Sequence, residues 1–362
     1  MLLGVIVAVA LLSAYAFPRS YGLVLLYDRF CFYPVQSARG LLFNILPFSI
    51  GDLLYVAGGA MLLYTLCRWV YYLLHFGRDK YSLLRSFLNT LIAVFLVYLW
   101  FLWGWGANYY KPPLAKTWKL YDSTTKDIAV KRKQDSLVLI AFNTMLVARI
   151  NACAPYYRQM TIGRVNKLAK EYYNRYTTCP ARGYGVGIKP SLFSWFLDRT
   201  GVEGYYNPFT GEGQVSNTLP AFILPFVVCH EMAHQAGVAA EGDANLTAYA
   251  IGTLADDSSF RYAAYIDIWL YANRRLYRRD SAIAIAFEHS LNNFTRSQLD
   301  TLEQLSKKYD NDVARYSSSL YDDYLKMQQQ KDGLRSYGNV VSSAWLLEQR
   351  RIVRGREQIS LP

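Results

Sequence analysis

Three apolar stretches lie within the first 106 residues, and they limit what the chain can fold into more than any other feature. They run from Leu2 to Phe17, from Leu53 to Leu74 and from Phe87 to Trp105. A helix needs roughly 20 apolar residues to cross a bilayer, and the second and third stretches approach that length. The alternative, buried helices of a soluble protein, is unusual for three stretches so close together. We therefore predict a transmembrane anchor region over residues 1–106, with spans at about 2–17, 53–74 and 87–105, followed by a soluble domain over residues 107–362.

Both ends of this anchor region carry recognisable signals. The first stretch contains Ala14-Tyr15-Ala16, which resembles the small-residue pattern of a signal-peptidase site. Because the usual basic residues ahead of such a segment are missing, we expect the stretch to be retained as a helix. Aromatic residues typical of membrane interfaces end the third stretch, namely Trp100, Trp103, Trp105, Tyr109 and Tyr110. They indicate that the chain leaves the membrane near residue 106.

The basic residues between the spans predict the orientation of the chain. A dense group lies in the short connection between the second and third spans: Arg68, Arg78, Lys80 and Arg85. A sparser group is spread between the first and second spans: Arg19, Arg29 and Arg39. Because positive charge concentrates on the cytoplasmic side, the denser connection is expected there. The domain after residue 106 is then extracytoplasmic.

The formal net charge of +12 raises the question of nucleic-acid binding. The lysines and arginines are dispersed and accompany no nucleic-acid motif, so we expect a lipid bilayer as a partner and no nucleic acid.

Five cysteines are present without a CxxC pair, which argues against a cysteine zinc site. Outside the cytoplasm, Cys153 and Cys179 are in a position to form a disulfide, and the sequence leaves that pairing open.

The soluble part is expected to be mainly α with a small β element. Apolar residues at three- and four-residue spacing predict helices over Asp135 to Ala152 and Ile162 to Tyr176. The segment from Cys179 to Asn217 is rich in Gly, Pro, Tyr and Thr and favours a small irregular sheet, with short pieces at Tyr184 to Ile188 and Gly213 to Val215. Further helices are predicted from about Pro225 to Ala236, from near Ala240 through Ile251, and beyond Ser258 to the end.

The first of these later helices contains two histidines four residues apart. His230 and His234 lie one turn apart on one helix face, where both imidazoles can reach a single metal ion. Glu231 lies about 100° further round the helix, where it can accept a proton from water activated by the metal without binding the metal itself. This is the HExxH pattern of zinc hydrolases. The alternative is a pair of hydrogen-bonded histidines in an apolar core.

A catalytic zinc site needs a third protein ligand, and Glu241 is the best candidate. Gly237 should end the first helix, and a short turn would bring the start of the next one back towards the metal. Asp243 is the rival ligand. Asn245, one turn beyond Glu241, is placed to orient a ligand histidine through its second ring nitrogen. The isolated His289 is expected to be structural.

Several blocks of the chain resemble one family of bacterial membrane proteins, the domain of unknown function 3810. They are "ILPFSIGDLLY", "WGWGANYYKPPL", "PFTGEGQVSN", "PFVVCHEMAHQAG", "EGDANLTAY", "FRYAAY" and "DGLRSYGNVV", and the resemblance covers nearly the whole chain. Members are regarded as zinc metallopeptidases on the strength of the motif, and their substrates are not established. The resemblance implies a multi-pass protein of the bacterial cytoplasmic membrane.

The HExxH motif followed by ExxAN is also similar to the gluzincin peptidases. That similarity implies one zinc ion held by His230, His234 and Glu241, with Glu231 as general base and Asn245 behind the ligands. Two features depart from these patterns. The gap between His234 and Glu241 is shorter than in most gluzincins, and Gly242 and Leu246 stand where acidic and aromatic residues are expected.

Two further roles follow from this resemblance. Peptidases of this type bind extended substrate along an edge strand ahead of the motif helix, and Thr210 to Asn217 is either that strand or an ordinary loop. A donor is also needed for the charge that develops on the substrate oxygen. The candidates are Tyr262, Tyr265 and Tyr337, each in a family-like block.

The predicted protein is a membrane-anchored zinc metallopeptidase with a zincin-like, mostly helical soluble domain that hydrolyses an unidentified peptide or protein. One alternative is a catalytically inactive envelope scaffold or binding protein, with or without zinc, which needs neither Glu231 nor an open metal position. The other is a membrane protein with a basic partner-binding domain and no metal. Because the motif lies well beyond the last span, an intramembrane protease is disfavoured.

Overall fold

The computed structural model describes residues 2–120, 128–177, 186–309 and 340–354, together with the single positions 319, 323 and 326. It is mostly helical and has one three-stranded sheet. The first five helices are α1 (Leu2–Ala16), α2 (Tyr21–Tyr27), α3 (Tyr33–Phe43), α4 (Ile50–Leu74) and α5 (Phe76–Gly104).

The middle of the chain contains the sheet and the helices around it. These elements are α6 (Leu114–Thr117), α7 (Ile128–Cys153), α8 (Ile162–Tyr176), β1 (Ile188–Pro190), α9 (Ser194–Thr200), β2 (Gly204–Tyr206) and β3 (Gly213–Val215). The rest is helical: α10 (Leu224–Gln235), α11 (Glu241–Leu254), α12 (Ser258–Tyr277), α13 (Ser281–His289), α14 (Asn293–Tyr309) and α15 (Val340–Arg354). The mainly α prediction with a small β element is confirmed.

Four helical segments in the described chain are long and apolar enough to cross a membrane, one more than the sequence predicted. Three match the expected spans: Leu2–Arg19, Ile50–Leu74 and Phe76–Gly104. The fourth, Asp135–Tyr156, differs in its packing, because 44% of its apolar window is buried inside the protein, against 11–22% for the others. Its buried side chains include Phe142 and Leu146. Length and apolar composition therefore do not distinguish this helix, which packs within the domain, from the other three, whose apolar surfaces are largely uncovered.

The three N-terminal apolar helices pack against one another. α4 and α5 are joined at His75, and α1 packs along α5. Phe17, just after α1, lies edge-on to Trp103 near the end of α5, with 5.1 Å between ring centroids. These apolar helices, one of them near the N-terminus, are consistent with a membrane protein.

The sheet has the order β1-β3-β2, with β1 parallel and β2 antiparallel to β3. Gly213 pairs with Ile188 on one side and with Tyr206 on the other. The prediction that Thr210 to Asn217 provides either a free edge strand or an ordinary loop is therefore wrong, since β3 is the central strand. The outer strands are β1 and β2, and no described strand flanks β2 on the side opposite β3.

A buried ion pair ties α4 to this sheet. Glu212 accepts hydrogen bonds from the Ile50 and Gly51 backbone N–H groups at 3.2 and 2.7 Å, in the first turn of α4. The same carboxylate lies 2.7 Å from Lys189 Nζ on β1. Because a helix N-terminus has unpaired N–H groups and a partial positive charge, the carboxylate satisfies two of these donors. The sheet and the second apolar helix are thereby held in one arrangement.

The hydrophobic core extends across residue 106. It includes Phe32 and Trp105 from the N-terminal region together with Phe142, Val228 and Tyr249 from the domain that follows. The predicted boundary at residue 106 thus marks a change of composition, while the packing is continuous through it.

Candidate metal centre

α10, which carries the two histidines, is buried along its whole length. Pro225 lies in its first turn, where a missing N–H costs no helical hydrogen bond. The helix ends at a left-handed Gly237 with φ of 85°. The Gly237 N–H donates to the His234 carbonyl and the Val238 N–H to the Ala233 carbonyl, both at 3.0 Å. These two bonds define a Schellman turn, which reverses the chain immediately after the motif.

The same turn and the following helix orient the two imidazole rings. His234 Nδ1 lies 2.7 Å from the Val238 carbonyl oxygen, and His230 Nδ1 lies 2.7 Å from Asn245 Oδ1. Both oxygens are acceptors, so each Nδ1 carries the ring proton and donates it. In the neutral imidazole, each Nε2 then has a free lone pair, which is the form in which histidine binds metals.

Three potential ligand atoms converge on the far side of the rings. His230 Nε2 lies 3.1 Å from both His234 Nε2 and Glu241 Oε2, and His234 Nε2 lies 3.5 Å from Glu241 Oε2. Ligands of a tetrahedral zinc ion at 2.0–2.1 Å are separated by roughly 3.3–3.4 Å, so the triangle has the right size. Two imidazole nitrogens and a carboxylate that face one another can share one cation, either a metal ion or a proton on a histidine Nε2. His230, His234 and Glu241 could therefore hold a metal ion.

Glu241 reaches the cluster because α11 starts only a few residues after the Schellman turn. α11 packs along α10 and places Glu241 in its own first turn. Asp243, the rival ligand, is not part of the cluster: its Oδ2 accepts a hydrogen bond from the Leu114 N–H at 3.0 Å. Burial raises the pKa of the Asp243 carboxyl to about 6.

Glu231 lies beside the cluster without joining it. Its side chain is buried, and its Oε2 has no hydrogen-bond partner among the described residues. Burial raises the pKa of its carboxyl to about 7, because the two histidines only partly offset the loss of water. Gly204 of β2 packs directly against it, since a Cβ at that position would lie 2.8 Å from Glu231 Oε1. The residue also contributes to the wall of a cavity, described below.

The ligand groups influence one another's charge. Burial opposes a charge on His234, but the Glu241 carboxylate and its hydrogen bond outweigh burial and raise the pKa of the imidazole to about 9. Burial also opposes the charge on Glu241 by raising the pKa of its carboxyl, but the two histidines outweigh burial and hold that pKa well below its usual range. The carboxylate is thus in the ionised form that binds metals.

A cavity of about 620 Å³ opens onto these groups. His230, Glu231, His234 and Glu241 all line it, as does Asn245. Trp105 and Tyr109, which follow α5, form another part of the wall. The Trp105 indole N–H donates to the His234 carbonyl at 3.3 Å, which fixes the end of α5 against the metal-ligand helix.

Two of the three tyrosines proposed as oxyanion donors, Tyr262 and Tyr265, do not line this cavity. The Tyr262 hydroxyl donates to Thr295 Oγ1 at 3.1 Å, and the Tyr265 ring lies edge-on to Tyr249 at 6.1 Å. Neither ring lines the cavity. Tyr337, the third candidate, falls outside the described residues. His289, which the sequence predicted to be structural, is exposed at the end of α13. Cys179, the expected disulfide partner of Cys153, also falls outside the described residues.

α12 supplies other cavity residues that the sequence interpretation missed. Asp267, Tyr271 and Arg274 line the wall at positions i, i+4 and i+7 of one helix face. Tyr265 lies about 200° from Asp267 around the helix and faces the core instead. In the sequence, these three residues form a polar stripe on a mostly apolar helix, and that stripe was the signal that could have identified them. Glu203, immediately before β2, also lines the cavity and carried no such signal.

The fold and site define a mostly helical chain with apolar helices that could span a membrane and a His-His-Glu cluster that could hold a metal. The chain belongs to the family described as Protein of unknown function (DUF3810), whose model matches residues 27–345. The family resemblance read from the sequence is thus confirmed. No curated protein and no solved structure matches the chain.

Proposed function

We propose that the protein is a membrane-anchored zinc metallopeptidase. The observation that carries this proposal is the triangle of His230 Nε2, His234 Nε2 and Glu241 Oε2, with separations of 3.1–3.5 Å, beside the unpartnered Oε2 of Glu231. Two imidazoles and one carboxylate are the ligand set of many catalytic zinc sites, which keep a further position for water or substrate. A core histidine pair would need neither the converging carboxylate nor the adjacent buried acid.

Each residue of the site has a distinct role in the proposed reaction. Zinc, when bound, supplies Lewis acidity toward a peptide carbonyl and a water molecule. Glu231 accepts the proton of the attacking water and then gives it to the amine that leaves. Asn245 and the Val238 carbonyl hold the His230 and His234 rings in the tautomer with a free Nε2. Tyr271 takes the place of Tyr262 and Tyr265 as the hydroxyl donor toward the substrate oxygen, because it lines the cavity and they do not.

The free edge of β2 is the proposed site for the substrate backbone. Gly204–Tyr206 lines the cavity, and Gly204 packs on the Glu231 carboxylate. An extended peptide that pairs with this edge would place one of its carbonyl groups near the metal ligands. The missing side chain at Gly204 permits that approach.

We further propose that the domain lies on the extracytoplasmic side of a bacterial cytoplasmic membrane. α4 begins at the sheet and α5 ends at the cavity wall, so their connection at His75 lies at the opposite end of two long helices. The dense group of basic residues surrounds this connection. Positive charge at the remote end favours a cytoplasmic position for it. The cavity would then open close to the outer surface of the bilayer.

The proposal is tested by metal content and by Glu231→Gln. The full-length protein, purified in detergent without chelators, should contain about one equivalent of zinc. Incubated with a peptide library, the wild type should generate new termini that mass spectrometry detects. Glu231→Gln should keep the zinc and lower the cleavage rate by about 10²–10⁴-fold, because it retains shape but cannot accept the proton.

Glu171→Gln on the exposed face of α8 is the matched control and should cleave like the wild type. Zinc below about a tenth of an equivalent would contradict the metal site. Zinc binding with no cleavage in either protein would favour the inactive scaffold, and unchanged cleavage by Glu231→Gln would refute the role of Glu231.

A further inference from the structure

A second cavity of about 890 Å³ adjoins the metal cavity. The two share part of their walls, including Glu203, Asp267, Tyr271 and Arg274. A peptide that enters from the second cavity passes these residues before it reaches His230. The shared wall, formed by Glu203, Asp267, Tyr271 and Arg274, is therefore where residues next to a cleaved bond would lie.

The second cavity is acidic although the chain as a whole is basic. Its described lining includes six carboxylates, namely Asp198, Glu203, Asp267, Glu288, Asp300 and Glu303, against two arginines, Arg274 and Arg278. The whole chain has 39 lysines and arginines and 27 acidic residues. An acidic concavity in such a chain concentrates positive charge from solution.

Asp267 is the residue in this wall whose buried carboxyl lacks a hydrogen-bond or ion-pair partner among the described residues. The residue is only 8% exposed, yet its carboxyl makes no hydrogen bond and no ion pair with any described residue. Burial raises the pKa of its carboxyl well above the usual range, and the neighbouring Glu203 raises it further. Burying a carboxyl without a partner is costly. Asp243, a partly buried carboxyl, has the Leu114 N–H as its donor.

We propose that Asp267 and Glu203 form a subsite for a cationic group of the substrate, an ammonium or a guanidinium. This inference rests on the proposed peptidase function and names its substrate class: peptides that carry a positive charge close to the cleaved bond. The charge comes either from a lysine or arginine side chain or from a free amino terminus. Both supply several N–H donors to a pair of carboxylates.

The geometry favours a cation from outside the chain. Asp267 and Glu203 come from separate elements, α12 and the residue before β2, and lie on the wall that both cavities share. A cation held between them satisfies the buried carboxyl and removes the repulsion between the two acids. Arg274, two turns further along α12 on the same cavity-lining face, is the competing cation. If it neutralised Asp267 in solution, the subsite would show no charge preference.

Binding is measured in the Glu231→Gln background, so that bound peptides stay intact. The probes are short peptides of Ala, Ser and Leu with a fluorescein label at the C-terminus. Four versions carry a central Lys, Arg, norleucine or Glu, each with a free or an acetylated amino terminus. Fluorescence anisotropy with the full-length protein in detergent gives each Kd.

A cationic probe should bind about tenfold more tightly than its neutral counterpart, as expected for a charged hydrogen bond in a partly buried site. Acetylated Lys and Arg probes report on the side chain, and the free norleucine probe reports on the amino terminus. Asp267→Asn and Glu203→Gln should each remove most of the preference and leave zinc content unchanged. Glu171→Gln should leave the preference intact.

Glu203→Gln decides the test if Asp267→Asn does not fold, because Glu203 lies at the exposed side of the wall. Equal affinity for cationic and neutral probes, or a preference that survives both substitutions, overturns the subsite. Cation preference without any cleavage by the wild type would support the subsite and contradict the peptidase. Cleavage by the wild type without any charge preference would support the peptidase and contradict the subsite.

Discussion

The direction in which each ligand histidine faces depends on one hydrogen bond to its second nitrogen. For His234 the acceptor is a backbone carbonyl, which no substitution at Val238 removes. For His230 the acceptor is the side chain of Asn245, at 2.7 Å. The contribution of ring orientation to metal binding can therefore be measured at residue 245 alone.

Asn245→Ala should lower zinc affinity about 10–100-fold, because the His230 ring loses the acceptor that fixes its tautomer. Competition with a coloured chelator gives the affinity. Asn245→Asp is the matched control, since a carboxylate still accepts from Nδ1, and it should retain zinc at least as well as the wild type. An Asn245→Ala protein with wild-type affinity would show that the hydrogen bond does not orient the ligand.

At the level of elements, the sheet and α4 depend on one buried ion pair. The Lys189 and Glu212 side chains are 8% and 1% exposed, and the carboxylate also accepts two backbone N–H groups of α4. Glu212→Gln removes the charge and leaves a buried ammonium without its partner. We expect a loss of about 3–5 kcal/mol in the free energy of unfolding. Thermal unfolding of the detergent-solubilised protein measures the change.

Glu303→Gln provides the comparison for this prediction. Glu303 lies 2.6 Å from Lys307 on α14, but the two side chains are 64% and 73% exposed. Water screens such a pair, so its loss should change stability by less than about 1 kcal/mol. Equal shifts in the two variants would mean that the buried pair does not hold α4 to the sheet.

Local patterns predicted the elements better than their pairing. Regular apolar spacing gave the helix Ile162–Tyr176 with its observed bounds, and Thr161 caps it by accepting from the Arg164 N–H. Strand order could not be read in this way, because β2 is three residues long and pairs with β3 through tertiary packing. A fourth apolar helix was likewise assigned by spacing to the domain, although its length and composition equal those of a membrane span.

In the candidate site, too, some residues can be grouped from their sequence spacing, whereas others come together only through folding. His230, Glu231 and His234 are set by helix geometry, and Glu241 and Asn245 follow within one short turn, so spacing was sufficient to group all five. Asp267 and Glu203 lie far from the motif in sequence and reach it through the packing of α12 and β2. Only a folded chain shows that convergence.

On the scale of the whole molecule, the N-terminal region is part of the structure that supports the metal centre. Phe32 is fully buried in the common core, and Leu102 and Trp105 are nearly so. Lys111 Nζ donates to the Gly237 carbonyl at 3.2 Å, and Arg39 donates to the Gly104 carbonyl at 2.9 Å. The end of α5, the Schellman turn and the cavity wall thus form one packed unit.

A chain that begins at residue 107 should therefore fail to fold, although the apolar composition ends there. Burial of each large apolar side chain contributes about 1.5–3 kcal/mol, so loss of Phe32, Leu102 and Trp105 removes several kcal/mol from a domain stability of roughly 5–15 kcal/mol. Size-exclusion chromatography and zinc analysis should show aggregated protein without metal. Deletion of residues 2–9 is the control, because none of these residues is buried, and it should keep a folded protein with zinc. A monodisperse, zinc-binding fragment from residue 107 would mean that the N-terminal apolar helices only anchor the centre. The hydrogen bond from the Trp105 indole to the His234 carbonyl argues that they also complete it.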